Sequence, residues 1–95
     1  MCKEEMFFNK KLLITGGTGS FGKKLVARLV ERYRPSEIIV YSRDELKQFE
    51  MRSVFPVDET PVRYFIGDIR DKERLYRVCH GVNYIVHAAA LKQVP

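Results

Sequence analysis

The sequence is poor in sulfur, has no long apolar run and carries no block of like charge. Its two cysteines, Cys2 and Cys79, form no disulfide framework, which excludes the stapled scaffolds of small secreted domains. No stretch approaches the ~20 consecutive apolar residues of a membrane-spanning helix. Met6-Phe7-Phe8 is too short for the apolar core of a secretion signal. The expectation is a reducing, cytoplasmic setting. Cys79 falls at helical spacing with Leu75 and Val78 and reads as a core thiol. The net charge of +5 invites a nucleic-acid partner. However, bases and acids alternate, as in Lys3-Glu4-Glu5 and Asp71-Lys72-Glu73-Arg74, so the pattern favours a soluble domain with a local anionic ligand. Linkers and low-complexity tracts are absent as well, and 95 residues make one small domain at most.

Glycine, by contrast, is concentrated. Four of the six glycines lie between Gly16 and Gly22. They follow the apolar run Leu12-Leu13-Ile14 and precede a helical pattern over Lys23 to Tyr33. Strand, glycine-rich turn and helix form the context in which such a motif means a phosphate site. The spacing fits two templates: Gly17, Gly19 and Gly22 as G-x-G-x-x-G, or Gly16, Gly19 and Gly22 as G-x-x-G-x-x-G after Thr15. Glycines at the turn let the chain leave the strand sharply, Gly19 lets backbone approach a pyrophosphate, and Gly22 lets helix pack on strand. The helix amino terminus then offers unpaired N–H groups and partial positive charge to the anion.

Beyond this loop the chain alternates. Ser20 is placed to cap the first helix, with Phe21, Leu25, Val26, Leu29 and Val30 on its apolar face. Pro35 ends it. Ile38-Ile39-Val40-Tyr41 is short, apolar and β-branched, as in a strand buried on both faces. Asp44 or Ser42 can cap a second helix from about Glu45 to Val54, with Leu46, Phe49, Met51 and Val54 inward. Pro56 and Pro61 bracket an acidic loop, Val62 to Ile66 is a third strand, Asp71 opens a third helix, and Tyr84-Ile85-Val86-His87 is a fourth strand. This alternation predicts an α/β fold of Rossmann type: a doubly wound parallel sheet, partial, of about four strands in order 3-2-1-4 with flanking helices. The outer edge of the fourth strand is expected to be unpaired.

In this fold an acid at the end of the second strand binds the ribose of NAD, whereas an arginine accommodates the 2′-phosphate of NADP. Here that strand ends Tyr41-Ser42-Arg43. Arg43 offers a planar fork of donors and Ser42 one more. NADP is therefore favoured, with NAD as the alternative should Asp44 take the ribose. Asp68 either lines the adenine rim or caps the next helix. His87 reads as a space-filler near the strand end rather than an acid or base. Lys92 lies in the loop after the fourth strand, where it contacts cofactor or substrate phosphate or is simply exposed.

Taken together, Ile14 to Lys24, Tyr41 to Gln48, Phe65 to Asp71 and His87 to Pro95 resemble the extended short-chain dehydrogenases/reductases. Within them they are similar to the nucleotide-sugar 4,6-dehydratases of bacterial polysaccharide and flagellin-sugar biosynthesis, the inverting UDP-N-acetylglucosamine subgroup in particular. The resemblance implies a pyrophosphate loop of Gly16, Gly19 and Gly22 flanked by Thr18, Ser20 and Phe21. It implies Ser42 and Arg43 at the 2′-phosphate of NADP, Asp68 and Ile69 beside the adenine, Ala88, Ala89 and Ala90 on the nicotinamide side, and Lys92 near cofactor or substrate. The reaction it implies withdraws a hydride from C4 of a UDP-sugar, eliminates water across C5 and C6, and returns the hydride to C6. A homo-oligomer and no metal are expected. The catalytic Tyr-x-x-x-Lys of that family does not occur: Tyr33, Tyr41, Tyr64, Tyr76 and Tyr84 are followed four residues on by Glu37, Glu45, Asp68, His80 and Ala88. The chain is thus expected to be an amino-terminal portion of an NAD(P)-binding domain, with no catalytic residue of its own and inactive alone.

Overall fold

The computed structural model describes residues 7–16 and 18–87. Strand β1 is Lys11–Thr15, helix α1 Ser20–Arg28, β2 Glu37–Ser42, α2 Glu45–Val54, β3 Val62–Ile66, α3 Lys72–Val78 and β4 Tyr84–His87. The strands form one sheet in the order β3-β2-β1-β4, and every pairing is parallel. This is the expected order. It follows from right-handed crossovers, which send the chain outward from β1 through β2 to β3 and then back across to the other side of β1. The neighbours of β1 therefore lie in opposite directions, and Thr15 pairs with Tyr41 on one side and His87 on the other.

Side chains alternate across the sheet and give it two apolar faces. Leu12, Ile14, Ile38, Val40 and Val62 meet Val26, Leu29 and Met51 on the side covered by α1 and α2. Leu13, Ile39 and Tyr41 meet Leu75, Val78, Cys79 and Val82 on the α3 side. Both faces of β1 and β2 are covered, which explains their near-continuous apolar sequence. Cys79 is half-buried against this second cluster.

Several local expectations are corrected. The first helix does not run regularly to Tyr33. It is α-helical to Arg28 and closes in a π-helical turn over Leu29–Tyr33. Arg34 precedes a proline, which disfavours the helical region. It takes a left-handed conformation (φ 47°) and its N–H reaches back to the carbonyl of Leu29. Nor does Ser20 cap that helix: Gly19 occupies the N-cap position and no side chain bonds there. Phe21 is 43% exposed rather than inward, because the first turn of α1 stands at the carboxyl rim, ahead of the core contacts made by Val26 and Leu29.

The largest correction concerns α2. Leu46, Phe49 and Val54 are exposed at 67%, 72% and 62%, whereas Gln48 and Met51 are buried. The helix is rotated so that Gln48 faces the ends of β2 and β3, where its amide meets polar backbone groups. Asp44, not Ser42, caps it by accepting from the Lys47 N–H at 3.0 Å. Asp71 caps α3 in the same way, from Arg74 N–H.

Candidate dinucleotide site at the carboxyl rim

The carboxyl ends of β1, β2 and β3 open into a groove of about 520 Å³ lined by Thr15, Gly16, Tyr41, Ser42, Arg43 and Asp68, among others. That size and placement suit a ligand site in an open α/β sheet. Gly16 leaves β1 with φ 67°, a conformation that favours glycine, and its N–H bonds the Tyr41 carbonyl at 3.0 Å. The next described residue, Thr18, is buried. At Gly19 the backbone is extended and turns directly into α1, whose first intrahelical bond runs from Lys23 N–H to the Gly19 carbonyl. The N–H groups before Lys23 therefore have no helical partner. No acid occupies the first turn, so nothing local offsets the positive end of the helix dipole. Ser20 is exposed at this end and Gly22 is buried within α1.

At the end of β2 the two candidate phosphate ligands differ. The Arg43 guanidinium is 70% exposed and stands 3.4 Å from Asp68 Oδ2. Ser42 is largely buried and its Oγ accepts from Gln48 Nε2 at 3.0 Å. Asp44 has committed one carboxylate oxygen to capping α2. Asp44 is exposed beside Ser42 and Arg43 and is not among the residues lining the groove.

Asp68 follows β3 and is the most heavily bonded acid of the rim. Its Oδ1 accepts from the Arg70 backbone N–H at 2.8 Å, and Arg70 Nη2 donates to Oδ2 at 2.9 Å. The Arg70 guanidinium, then its backbone N–H, hold the Asp68 carboxyl down at about 2, with Arg43 adding a smaller attraction. Asp68 does not cap α3, a job left to Asp71. Ile69 is 55% exposed beside it.

Two groove residues carry no obvious sequence signal. Tyr41 is fully buried, and its hydroxyl donates to the Asp68 carbonyl at 3.1 Å. Gly67 passes so close that a Cβ there would lie 2.3 Å from the Tyr41 hydroxyl. The spacing Asp68-x-Arg70 was a readable sign of the ion pair; the approach of Gly67 to Tyr41 was not. His87, at the end of β4, is exposed rather than space-filling. Its Nδ1 hydrogen-bonds Thr15 Oγ1 at 2.8 Å. Gly17, Ala88, Ala89, Ala90 and Lys92 lie outside the described residues. Among the described residues no group of His, Cys, Asp and Glu is placed to hold a metal, and no helix is long and apolar enough to cross a membrane.

Comparison with known proteins places this geometry. A family model described as polysaccharide biosynthesis protein matches residues 12–95. The chain is 60% identical over 90 residues to the UDP-N-acetylglucosamine 4,6-dehydratase (inverting) of Campylobacter jejuni subsp. jejuni, covering 95% of this chain and 26% of that protein. It is 45% identical over 93 residues to the UDP-glucose 4-epimerase of Rickettsia rickettsii, covering 95% and 27%. The X-ray structure of Pen from Bacillus thuringiensis superposes with a TM-score of 0.75 at 34% identity, over 83% of this chain and 24% of that one. A short chain dehydrogenase from Bacillus anthracis shares the fold at 15% identity, TM-score 0.66, over 85% and 34%. The chain spans about a quarter of the length of the curated relatives it matches. With the family model covering all but its first eleven residues, the chain belongs to the polysaccharide biosynthesis protein family.

Proposed function

We propose that this chain is the amino-terminal portion of the dinucleotide-binding domain of a nucleotide-sugar 4,6-dehydratase, with NADP as cofactor and UDP-N-acetylglucosamine as the substrate of the whole enzyme. The 60% identity to the inverting dehydratase, spread over 95% of the chain, carries this reading. The epimerase match at 45% is the weaker one. The rim fits such a cofactor. Reached through the Gly16 turn, Gly19 and the uncapped start of α1 supply backbone N–H donors for a pyrophosphate, with Thr18, Ser20, Phe21 and Gly22 around them. Arg43 and Ser42 supply a charged fork and a hydroxyl for a 2′-phosphate. In this reading Asp68 and Ile69 flank the place of the adenine, Ala88, Ala89 and Ala90 serve the nicotinamide side, and Lys92 serves cofactor or substrate.

When bound, the nicotinamide accepts a hydride from the sugar and returns it. The part of this chain is to orient it. The arginine fork fixes one end of the dinucleotide and the glycine turn fixes its middle, so the reactive ring is set by distance from both. The proton-moving residues and the sugar contacts belong to the rest of the enzyme, which we take to assemble as a homo-oligomer.

Calorimetric titration of the chain with NADP and NAD tests the cofactor assignment. NADP should bind tighter by about 1.5–3 kcal/mol, the worth of hydrogen bonds to a charged group, and Arg43→Ala should erase the difference. Equal affinities in the unsubstituted chain would overturn the 2′-phosphate assignment in favour of an NAD enzyme.

A further inference from the structure

We infer that Gln48 is a positioning residue for cofactor selection: it holds Ser42 so that the hydroxyl can only donate toward the groove. This rests on the reading of Ser42 and Arg43 as the 2′-phosphate site. Gln48 sits in α2, 2% exposed. Its Nε2 has two hydrogens, and both are committed, one to the Phe65 carbonyl at 2.9 Å and one to Ser42 Oγ at 3.0 Å. A longer approach to the Ser42 carbonyl, 3.5 Å, leaves the amide nitrogen facing oxygen acceptors only. The amide orientation is thereby set, because the reverse orientation would point Oε1 at two carbonyls.

The consequence falls on Ser42. Its Oγ already receives a hydrogen from Gln48, so its own hydrogen must point elsewhere. No described residue accepts it. Ser42 lines the same groove as Arg43, so a phosphate oxygen held by the guanidinium is a natural acceptor. The donated hydrogen bond also polarises the Ser42 O–H, which makes it a better donor to an anion.

A second observation argues that this is more than packing. Among the described residues, Gln48 Oε1 is buried with no hydrogen-bond partner. An unpaired buried acceptor is costly, and an apolar side chain of similar size would avoid it. What an apolar side chain cannot supply is the pair of N–H donors tying Ser42 and β3 together at the groove. Leu46 and Phe49 on either side are exposed, so at this turn of α2 the inward side chain is the polar Gln48, with Met51 entering the core one turn on.

The test is calorimetric titration of the full chain with NADP and with NAD, for the unsubstituted protein, Gln48→Met, Ser42→Ala and the double variant. The readout is the ratio of the two affinities on the same protein. Partial unfolding lowers both affinities alike and leaves that ratio unmoved. Gln48→Met and Ser42→Ala should each reduce the preference for NADP roughly three- to tenfold, the span of one net hydrogen bond. The double variant should lose no more than the larger single loss, since both remove one device. If Gln48→Met does not fold, Gln48→Ala replaces it: the amide is removed without adding charge or a new acceptor, and the preference should fall in the same way. A full NADP preference in the Gln48 variant, or losses that simply add, would overturn the positioning role while leaving Arg43 as the phosphate ligand. No preference in the unsubstituted chain would overturn both this role and the assignment beneath it.

Discussion

The rim is governed by single contacts at the ends of strands. Asp68 is the clearest case. Folding lowers its carboxyl from 3.8 to about 2, chiefly through the Arg70 side-chain and backbone hydrogen bonds. Between those values the folded chain binds fewer protons than the unfolded one, so stability rises with pH there. This contribution should be complete above about pH 4–5 and lost as pH falls toward 2. Carboxyl titration by NMR should find Asp68 low in the unsubstituted chain and raised in Arg70→Ala; an unmoved value would show that the ion pair does not form in solution. Gly67 gives a second prediction at this scale. A Cβ there would meet not only the Tyr41 hydroxyl but its Cζ at 2.5 Å and Cε2 at 2.8 Å. Tyr41 is fully buried and cannot swing away. Gly67→Ala should therefore destabilise by about 1–3 kcal/mol, as overpacking does, measured by thermal unfolding. Adding Tyr41→Phe should restore little, because the ring carbons remain.

Helix α2 shows how an element can be placed correctly and faced wrongly. Its span follows from Asp44 and from the Phe55-Pro56 stop, both local signals. Its rotation turns Gln48 and Met51 inward together, Gln48 into hydrogen bonds with Ser42 and Phe65 and Met51 into the core. The expected consequence is a sharp contrast on one helix. Met51→Ala should cost about 2–5 kcal/mol, the range for emptying a packed core site. Phe49→Ser, a substitution at an exposed position, should stay within about 0.5 kcal/mol. Chemical denaturation of the two variants checks this; similar losses would mean that Phe49 is covered in solution. Tyr64 supports the same junction from β3, its hydroxyl donating to the Phe55 carbonyl at 2.9 Å.

At the scale of the molecule, the sheet has edges at β3 and β4. On one side of the sheet, Ile85 in β4 is 50% exposed and Phe65 in β3, at the opposite edge, is 39% exposed. Among the described residues no strand pairs the outer side of β4. Exposed apolar side chains beside open backbone groups favour strand pairing between copies. Sedimentation of the 95-residue chain should show concentration-dependent self-association, and Ile85→Lys should weaken it. A stable monomer over the same concentrations would contradict this.

The sequence by itself determined the alternation of strands and helices, the parallel order 3-2-1-4 and the location of the glycine turn. These rest on local periodicity, on glycine's backbone freedom and on crossover handedness, none of which needs a distant contact. It also brought Ser42, Arg43 and Asp68 to one rim, because residues at the carboxyl ends of neighbouring parallel strands must lie side by side. Only the tertiary structure decided which side chains at that rim are already engaged. Asp44 is taken by a backbone N–H, Asp68 by Arg70, and Ser42 by an amide six residues along the chain. The rotation of α2 and the approach of Gly67 to Tyr41 were equally out of reach, since hydrophobic spacing records which residues are apolar and not which polar group a helix must turn inward to satisfy.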